Sequence, residues 1–192
     1  MSYVEIMMWL LAALAFMPFL GACVVVPNID DQDCAQAEGG TTGRLEIIAM
    51  DDVDTIPDPD TESWTISSDV TLVDAAVAGF STWGFLEDTL IMNEEATDTG
   101  RVNLQIAGTI VGDSTTKRYI LNKMNSGCCK FLVGLTTNDG LTYLVPNVKF
   151  RRNFTTGLGG DNDDRVQYDV AISKIGQPAY LYTGTFPRFT AV

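Results

Sequence analysis

Residues Arg101–Phe150 read RVNLQIAGTIVGDSTTKRYILNKMNSGCCKFLVGLTTNDGLTYLVPNVKF, and the fold class turns on three signals inside them. The first ten residues alternate. Val102, Leu104, Ile106 and Ile110 fall on one face and Arg101, Asn103, Gln105 and Thr109 on the other. That period of two describes a strand with one face on a core and one on water. Ser114 is placed to cap a helix near residues 114–126, in which Tyr119, Ile120, Lys123 and Met124 recur at helical spacing until Gly127 ends it. Asn138-Asp139-Gly140 then separates two apolar runs, FLVGLTT and LTYLVPNVKF. Asp-Gly in that setting is among the strongest short-range hairpin signals. Strand, short helix and hairpin make this segment the scaffold of a mainly-β domain.

Outward from the scaffold the same reading continues. Upstream, RLEIIAM (Arg44–Met50) is a first strand, and Ser63–Ile66 resumes as a strand around Trp64. Between them Asp51–Glu62, DDVDTIPDPDTE, is acidic and holds two prolines, which makes it a turn or mobile loop with a solvated edge. Thr71–Leu86 carries Phe80, Trp83 and Phe85 without a decisive period. Its aromatics belong to a core or a contact surface. Asn93–Gly100, NEEATDTG, reads as an acidic connection. Downstream, Arg151–Arg165 reads as a long Gly- and Asp-rich loop. RVQYDVAISKI alternates again through Val166, Tyr168, Val170 and Ile172. Gly176-Gln177-Pro178 turns the chain and AYLYTGT makes a last strand. About seven strands and one short helix, with turns at regular spacing, predict a β-sandwich or barrel.

Three regions are expected: an apolar N-terminal segment over residues 1–26, a polar linker over 27–43, and a single β domain over 44–192. Ile6–Val26 holds 21 residues without a charge, and ~20 suffice for a helix that spans a bilayer. Three readings compete for it. One is a secretory signal peptide, although only Glu5 stands where positive charge is usual. Leu20-Gly21-Ala22-Cys23 resembles a bacterial lipobox, in which the cysteine is lipidated. Glu5 ahead of a long apolar helix resembles the start of a type IV pilin. That likeness implies a glutamate neutralising a neighbour's N-terminal amine inside a filament.

Chemistry is sparse. The chain has 46% hydrophobic residues, enough to fold, and a net charge of −13. That balance argues against a basic nucleic-acid surface and suits a surface that must not stick to DNA. Histidine is absent, which excludes a Ser-His-Asp triad, a His-zinc site and a His-ligated haem. Cys128 and Cys129 are adjacent, a pairing that strains a closed ring. A Cys23–Cys34 bridge fits an oxidising compartment, and free, partly buried thiols are the plainer reading. Neither pair has the spacing of a zinc knuckle.

Asp161-Asn162-Asp163-Asp164 offers oxygen ligands for calcium but lacks the EF-hand's twelfth-position glutamate, and a solvated loop explains it better. Gly157-Leu158-Gly159-Gly160 lacks the Lys-Ser/Thr of a phosphate loop. Glu94-Glu95 has no supporting constellation and reads as a solvated turn. Asn153-Phe154-Thr155 fits a glycosylation sequon. The sequence therefore points to no catalytic residue, no cofactor and no metal. It points to self-association, because alternating strands with polar outer faces supply edges for pairing and the apolar first segment needs a partner.

From about Cys23 onward the chain resembles tail tube proteins of tailed phages, particularly a type found in phages and prophages of Bacteroidetes. The likeness lies in the order of features. A start bearing Cys23 and Cys34 is followed by Gly39-Gly40 and RLEIIAMDDV. An acidic linker leads into RVNLQIAGTI, then the helix TTKRYILNKMNSG, the hairpin FLVGLTTNDGLTYLVPNV and the closing strands RVQYDVAISKIGQPAYLY. The resemblance implies a β subunit that forms hexameric rings, stacked into a hollow virion tail whose lumen conducts DNA during ejection. It implies further copies of the chain and other tail proteins as partners, no cofactor, and no sequence-specific contact with the DNA that passes. Loops Asp51–Glu62 and Arg151–Asp164 are its candidate inter-ring elements. The competing expectation is a membrane-anchored or cell-surface protein, a lipoprotein or pilin-like filament subunit, touching the bilayer through residues 6–26.

Overall fold

The structure, a computed structural model, describes residues 41–86, 88–112, 114–125, 129–155 and 167–188. Strand β7 (Val102–Val111) buries Leu104, Ile106 and Ile110 and exposes Gln105, as its alternation requires. Helix α1 (Thr115–Met124) begins where the Ser114 hydroxyl accepts the Lys117 N–H at 3.0 Å, and it buries Ile120, Leu121 and Met124. Strands β8 (Phe131–Thr137) and β9 (Thr142–Thr155) form an antiparallel hairpin, closed by the Thr137 N–H on the Leu141 carbonyl at 2.8 Å. Gly140, at the tip, takes a φ of 80°. Pro146 lies inside β9, where its missing N–H should break the ladder. The register slips there between Val133↔Val145 and Phe131↔Val148, and Asn147 takes a φ of 61°. The extra residue is a bulge that accommodates the proline.

The remaining elements are β1 (Thr41–Ala49), a 3-10 turn (Met50–Asp52), β2 (Val53–Thr55), β3 (Thr65–Ile66), β4 (Thr71–Leu72), β5 (Ser81–Gly84), β6 (Ile91–Ala96), β10 (Gln167–Gly176) and β11 (Tyr180–Tyr182). The main sheet runs β5-β1-β8-β9-β10-β7-β6 with every neighbour antiparallel. β11 pairs with the start of β9 and carries β3 as a parallel neighbour, while β2 and β4 form a separate pair. Just after β5 the Leu86 N–H donates to the Thr109 carbonyl of β7 at 2.7 Å. The Phe85 ring lies against Gly108, where a Cβ would come within 2.5 Å of it. The two ends of the sheet therefore meet, and it curls around one core.

That core joins Leu45 and Ile47 of β1, Trp83 of β5, Leu104 and Ile106 of β7, Val133 of β8, Phe150 of β9, Tyr168 of β10 and the buried face of α1. The opposite face of the same strands is covered too. Ile48, Leu132 and Leu144 join Ile66, Phe80, Tyr180 and Tyr182 in a second cluster, with Phe186 packed against it. Burial on both faces explains why RLEIIAM and FLVGLTT read as continuous apolar runs and not as alternation. The segment after β11 is laid across this second face. The Phe80 N–H reaches the Pro187 carbonyl at 2.8 Å, and Arg188 grips both Glu46 carboxylate oxygens at 2.5 and 2.6 Å. Thr82 donates to the same carboxylate at 3.1 Å.

Several expectations need correction. Asn93–Gly100 is not a connection: its first residues belong to β6, so Glu94 and Glu95 stand in a strand and not in a solvated turn. The expected loop Arg151–Arg165 begins as strand, because β9 runs on to Thr155 against β10. β1 starts at Thr41, inside the expected linker. The strand expected around Trp64 is only Thr65–Ile66; Trp64 itself takes a φ of 54° and gives that ladder its carbonyl alone, which accepts the Leu181 N–H at 3.1 Å. Asp51–Glu62 contains the rest of the 3-10 turn and β2. The unassigned stretch Thr71–Leu86 resolves into β4 and β5, with Phe80, Trp83 and Phe85 all buried. Among the described residues eleven strands replace about seven, the additions being β2, β4, β5 and β6. The expected apolar helix over residues 1–26 lies outside the described residues, as do Cys23, Cys34 and Cys128.

Candidate functional site

The carboxylates singled out from sequence do not form an acid–base pair. Glu94 and Glu95 are neighbours on β6, so their side chains leave opposite faces of the sheet. Glu94 is engaged, because its Oε1 accepts the Ala179 N–H at 2.6 Å and thereby ties β6 to the turn before β11. Among the described residues no group of three or more His, Cys, Asp or Glu is placed to hold a metal, and no buried side-chain polar atom lacks a hydrogen-bond partner. Asp161–Asp164 and Gly157–Gly160 lie outside the described residues. Asn153-Phe154-Thr155 falls within the β9–β10 ladder, with Asn153 in register with Asp169. Cys129 is disulfide-bonded, which corrects the free-thiol reading at that position; its partner lies outside the described residues.

What the fold does present is a sheet edge that no described strand covers. Among the described residues β6 ends the strand order and pairs with β7 alone, from Ile91↔Ala107 to Ala96↔Val102. Five of its six residues are exposed, and Ile91 keeps 48% of its surface in water. The β6–β7 turn sets the phase of its hydrogen bonds. Thr97 N–H donates to the Arg101 carbonyl at 2.7 Å, so residues 91, 93 and 95 exchange bonds with β7. The N–H and C=O groups of Met92, Glu94 and Ala96 then point away from the sheet. No proline, bulge or lysine guards them, and those are the usual protections of an edge.

The outward face beside this edge is polar and nearly flat in chemistry. One row across the strands reads Asn93, Gln105, Ser173, Lys149, and the next reads Ile91, Ala107, Ala171, Arg151. Glu95, opposite Asn103 in the row beyond Asn93, puts an acid at the β6 side, and Lys149 and Arg151 stand as bases at the β9 side. On the other face, near the β6–β11 contact, the Lys174 ammonium sits 6.0 Å from the Tyr180 ring centroid, and Trp64 stacks on that ring at 5.9 Å. Burial holds the Lys174 ammonium below the usual lysine range, and Glu94 pulls it the other way. A third feature is the region around β2 and β4. The stretch 51–74 holds Asp51, Asp52, Asp54, Asp58, Asp60, Glu62, Asp69 and Asp74 without one Lys or Arg of its own, and Val73 within it and Val77 just after it are exposed. Burial, and then Asp51, raise the Asp52 carboxyl above its ordinary value.

Sequence reasoning missed β6 because its six residues, IMNEEA, show neither an apolar face nor a β-branched run. The signal that marks it is the turn Asp98-Thr99-Gly100, with Gly100 at a φ of 74°, directly before an alternating strand. No helix among the described residues is long and apolar enough to cross a membrane. No protein-family model, curated protein or solved structure matches the chain.

Proposed function

We propose that this chain is a non-enzymatic structural subunit that assembles with copies of itself into stacked rings, as a phage tail tube protein around a DNA-conducting lumen. The observation that carries the reading is the β6 edge, six residues long, unguarded and polar, at the end of an otherwise closed antiparallel sheet. A monomer gains nothing from leaving such an edge open, whereas an assembling subunit uses it as a template for the next chain. The charge of −13 supports the same reading, since a negative lumen lets DNA slide without adhering. Its partners are then other copies and other tail proteins, its place is the virion tail, and it needs no cofactor.

Electron microscopy of the full-length protein in detergent-free buffer tests this. Hollow tubes with a regular ring repeat are expected. Thin solid fibres overturn the reading in favour of a pilin-like filament built on residues 6–26. Monomers or micelle-like aggregates overturn it in favour of a membrane-anchored domain.

A further inference from the structure

A second edge matches the first. β8 accompanies β9 only as far as Phe131↔Val148. From Lys149 to Thr155, β9 pairs with β10 alone among the described residues, and no described strand lies along its other side. We propose that β6 of one copy pairs antiparallel with this part of β9 in the next copy, which makes β6-β7-β10-β9 the repeat of a continuous sheet. The proposal rests on the assembly reading above and adds to it the two mating edges and their register.

Strand direction comes first. β6, β7, β10 and β9 alternate in direction, so β6 and β9 run opposite ways. A rotation that carries one copy to the next along the row keeps those directions. It therefore sets β6 of the second copy antiparallel to β9 of the first, the stronger of the two pairings. The contact joins two different patches, and a rotation that closes gives a ring.

Hydrogen-bond phase comes second. The Thr137–Leu141 bond assigns the odd-numbered residues of early β9 to β8. The bulge at Pro146 and Asn147 inverts that assignment, so Val148, and after it Phe150 and Arg152, direct their backbone groups to the β8 side. Past the end of β8 no described strand pairs with those groups. On β6 the unpaired groups belong to Met92, Glu94 and Ala96. Since β8 occupies β9 up to Val148, the incoming strand starts at Lys149. Glu95 then stands opposite Lys149, Asn93 opposite Arg151 and Ile91 opposite Asn153. In that register Glu94 meets Phe150 and Met92 meets Arg152, which brings free donors and acceptors together on both sides. An odd shift would bring together groups already used inside each copy, and it would also reverse the faces.

Charge comes third. Glu95 is exposed on one edge, and Lys149 and Arg151 are exposed on the other, on the same face of the sheet. Opposite charges directly across a strand pair are favourable, and like charges are not.

Zero-length carbodiimide coupling of the assembled full-length protein, read by mass spectrometry, tests the register. A Glu95–Lys149 cross-linked peptide is expected in bands of dimer size and above, and absent from the monomer band. Glu95→Lys and Lys149→Glu, each with an unchanged circular dichroism spectrum, are expected to lose the rings. The double variant Glu95→Lys/Lys149→Glu is expected to regain them. Rings that form without this cross-link and tolerate Glu95→Lys overturn the edge pairing and leave the tube reading standing. A double variant that stays dispersed also overturns the pairing. A wild-type protein that is monomeric throughout overturns both.

Discussion

Gly134 of β8 shows how one hydrogen atom can hold a layer in place. A Cβ built there would come within 2.2 Å of the Phe186 ring, which also packs on Phe80 and Tyr182 with ring centres 4.9 and 5.0 Å away. Gly134→Ala must push that ring off the sheet or bend β8. The expected cost is about 1–3 kcal/mol, the range of overpacked cores, read as a lower midpoint in urea unfolding. An unchanged midpoint means that Phe186 does not seal this face. Asp60 works at the same scale by electrostatics. Its carboxylate accepts the Ser63 N–H and the Glu62 N–H at 2.9 Å each and the Ser63 hydroxyl at 3.1 Å. Those bonds, the Ser63 N–H foremost, hold its pKa below the ordinary value of 3.8. A depressed folded value lends stability above that ordinary value and loses it as pH falls through the folded one. Asp60→Asn should therefore lower stability at neutral pH, and the gap to wild type should close in strong acid. A gap that is constant with pH means the carboxylate's charge contributes nothing.

At the scale of elements, β6 can be tested without disturbing the barrel. The Ala96 N–H points away from β7, so Ala96→Pro removes no bond of the β6–β7 ladder but denies one to an incoming strand. The expected outcome is a folded monomer with an unchanged melting curve and no rings on electron microscopy. Rings that persist remove β6 from the interface. The same strand marks the boundary of what the residues alone reveal. β7, α1 and the β8–β9 hairpin announce themselves, because alternation, a Ser114 cap and an Asp-Gly turn are local signals. β6 does not, because this edge strand exposes most of both faces and carries no alternation to read. Its membership of the sheet is a property of the partner, the register Ile91↔Ala107 to Ala96↔Val102, and not of IMNEEA itself. The bulge at Pro146 was hidden for a related reason. The proline in LTYLVPNVKF is visible, but whether it ends a strand or bends it depends on how β8 pairs across from it. The aromatics Phe80, Trp83 and Phe85 were legible as material for a core or a contact surface without a choice between the two, and the structure places all three in the core.

At the scale of the whole molecule, charge is divided along the chain. Of 12 Lys and Arg, Arg44 alone precedes Arg101, whereas most of the 25 Asp and Glu come before it. The second half of the sequence is thus basic inside a molecule of charge −13. Taken alone, cations such as Lys149 and Arg151 offer a place for phosphate to settle. Their reach is short, since exposed charges are screened over roughly 8 Å at physiological salt, and the field of the whole protein opposes a polyanion. Edge pairing removes even that local site by setting Glu95 of the next copy against Lys149. Assembled protein should therefore leave the electrophoretic mobility of duplex DNA unchanged, at low salt as well as at physiological salt. Dispersed Glu95→Lys subunits, with the basic edge uncovered and one acid reversed, should retard it weakly at low salt and not at high salt, since phosphate contacts are lost by counterion competition as salt rises. Retardation by the assembled wild type, fading as salt is added, would mean that basic residues remain open along the tube, and the acidic balance would then serve solubility and not the passage of DNA.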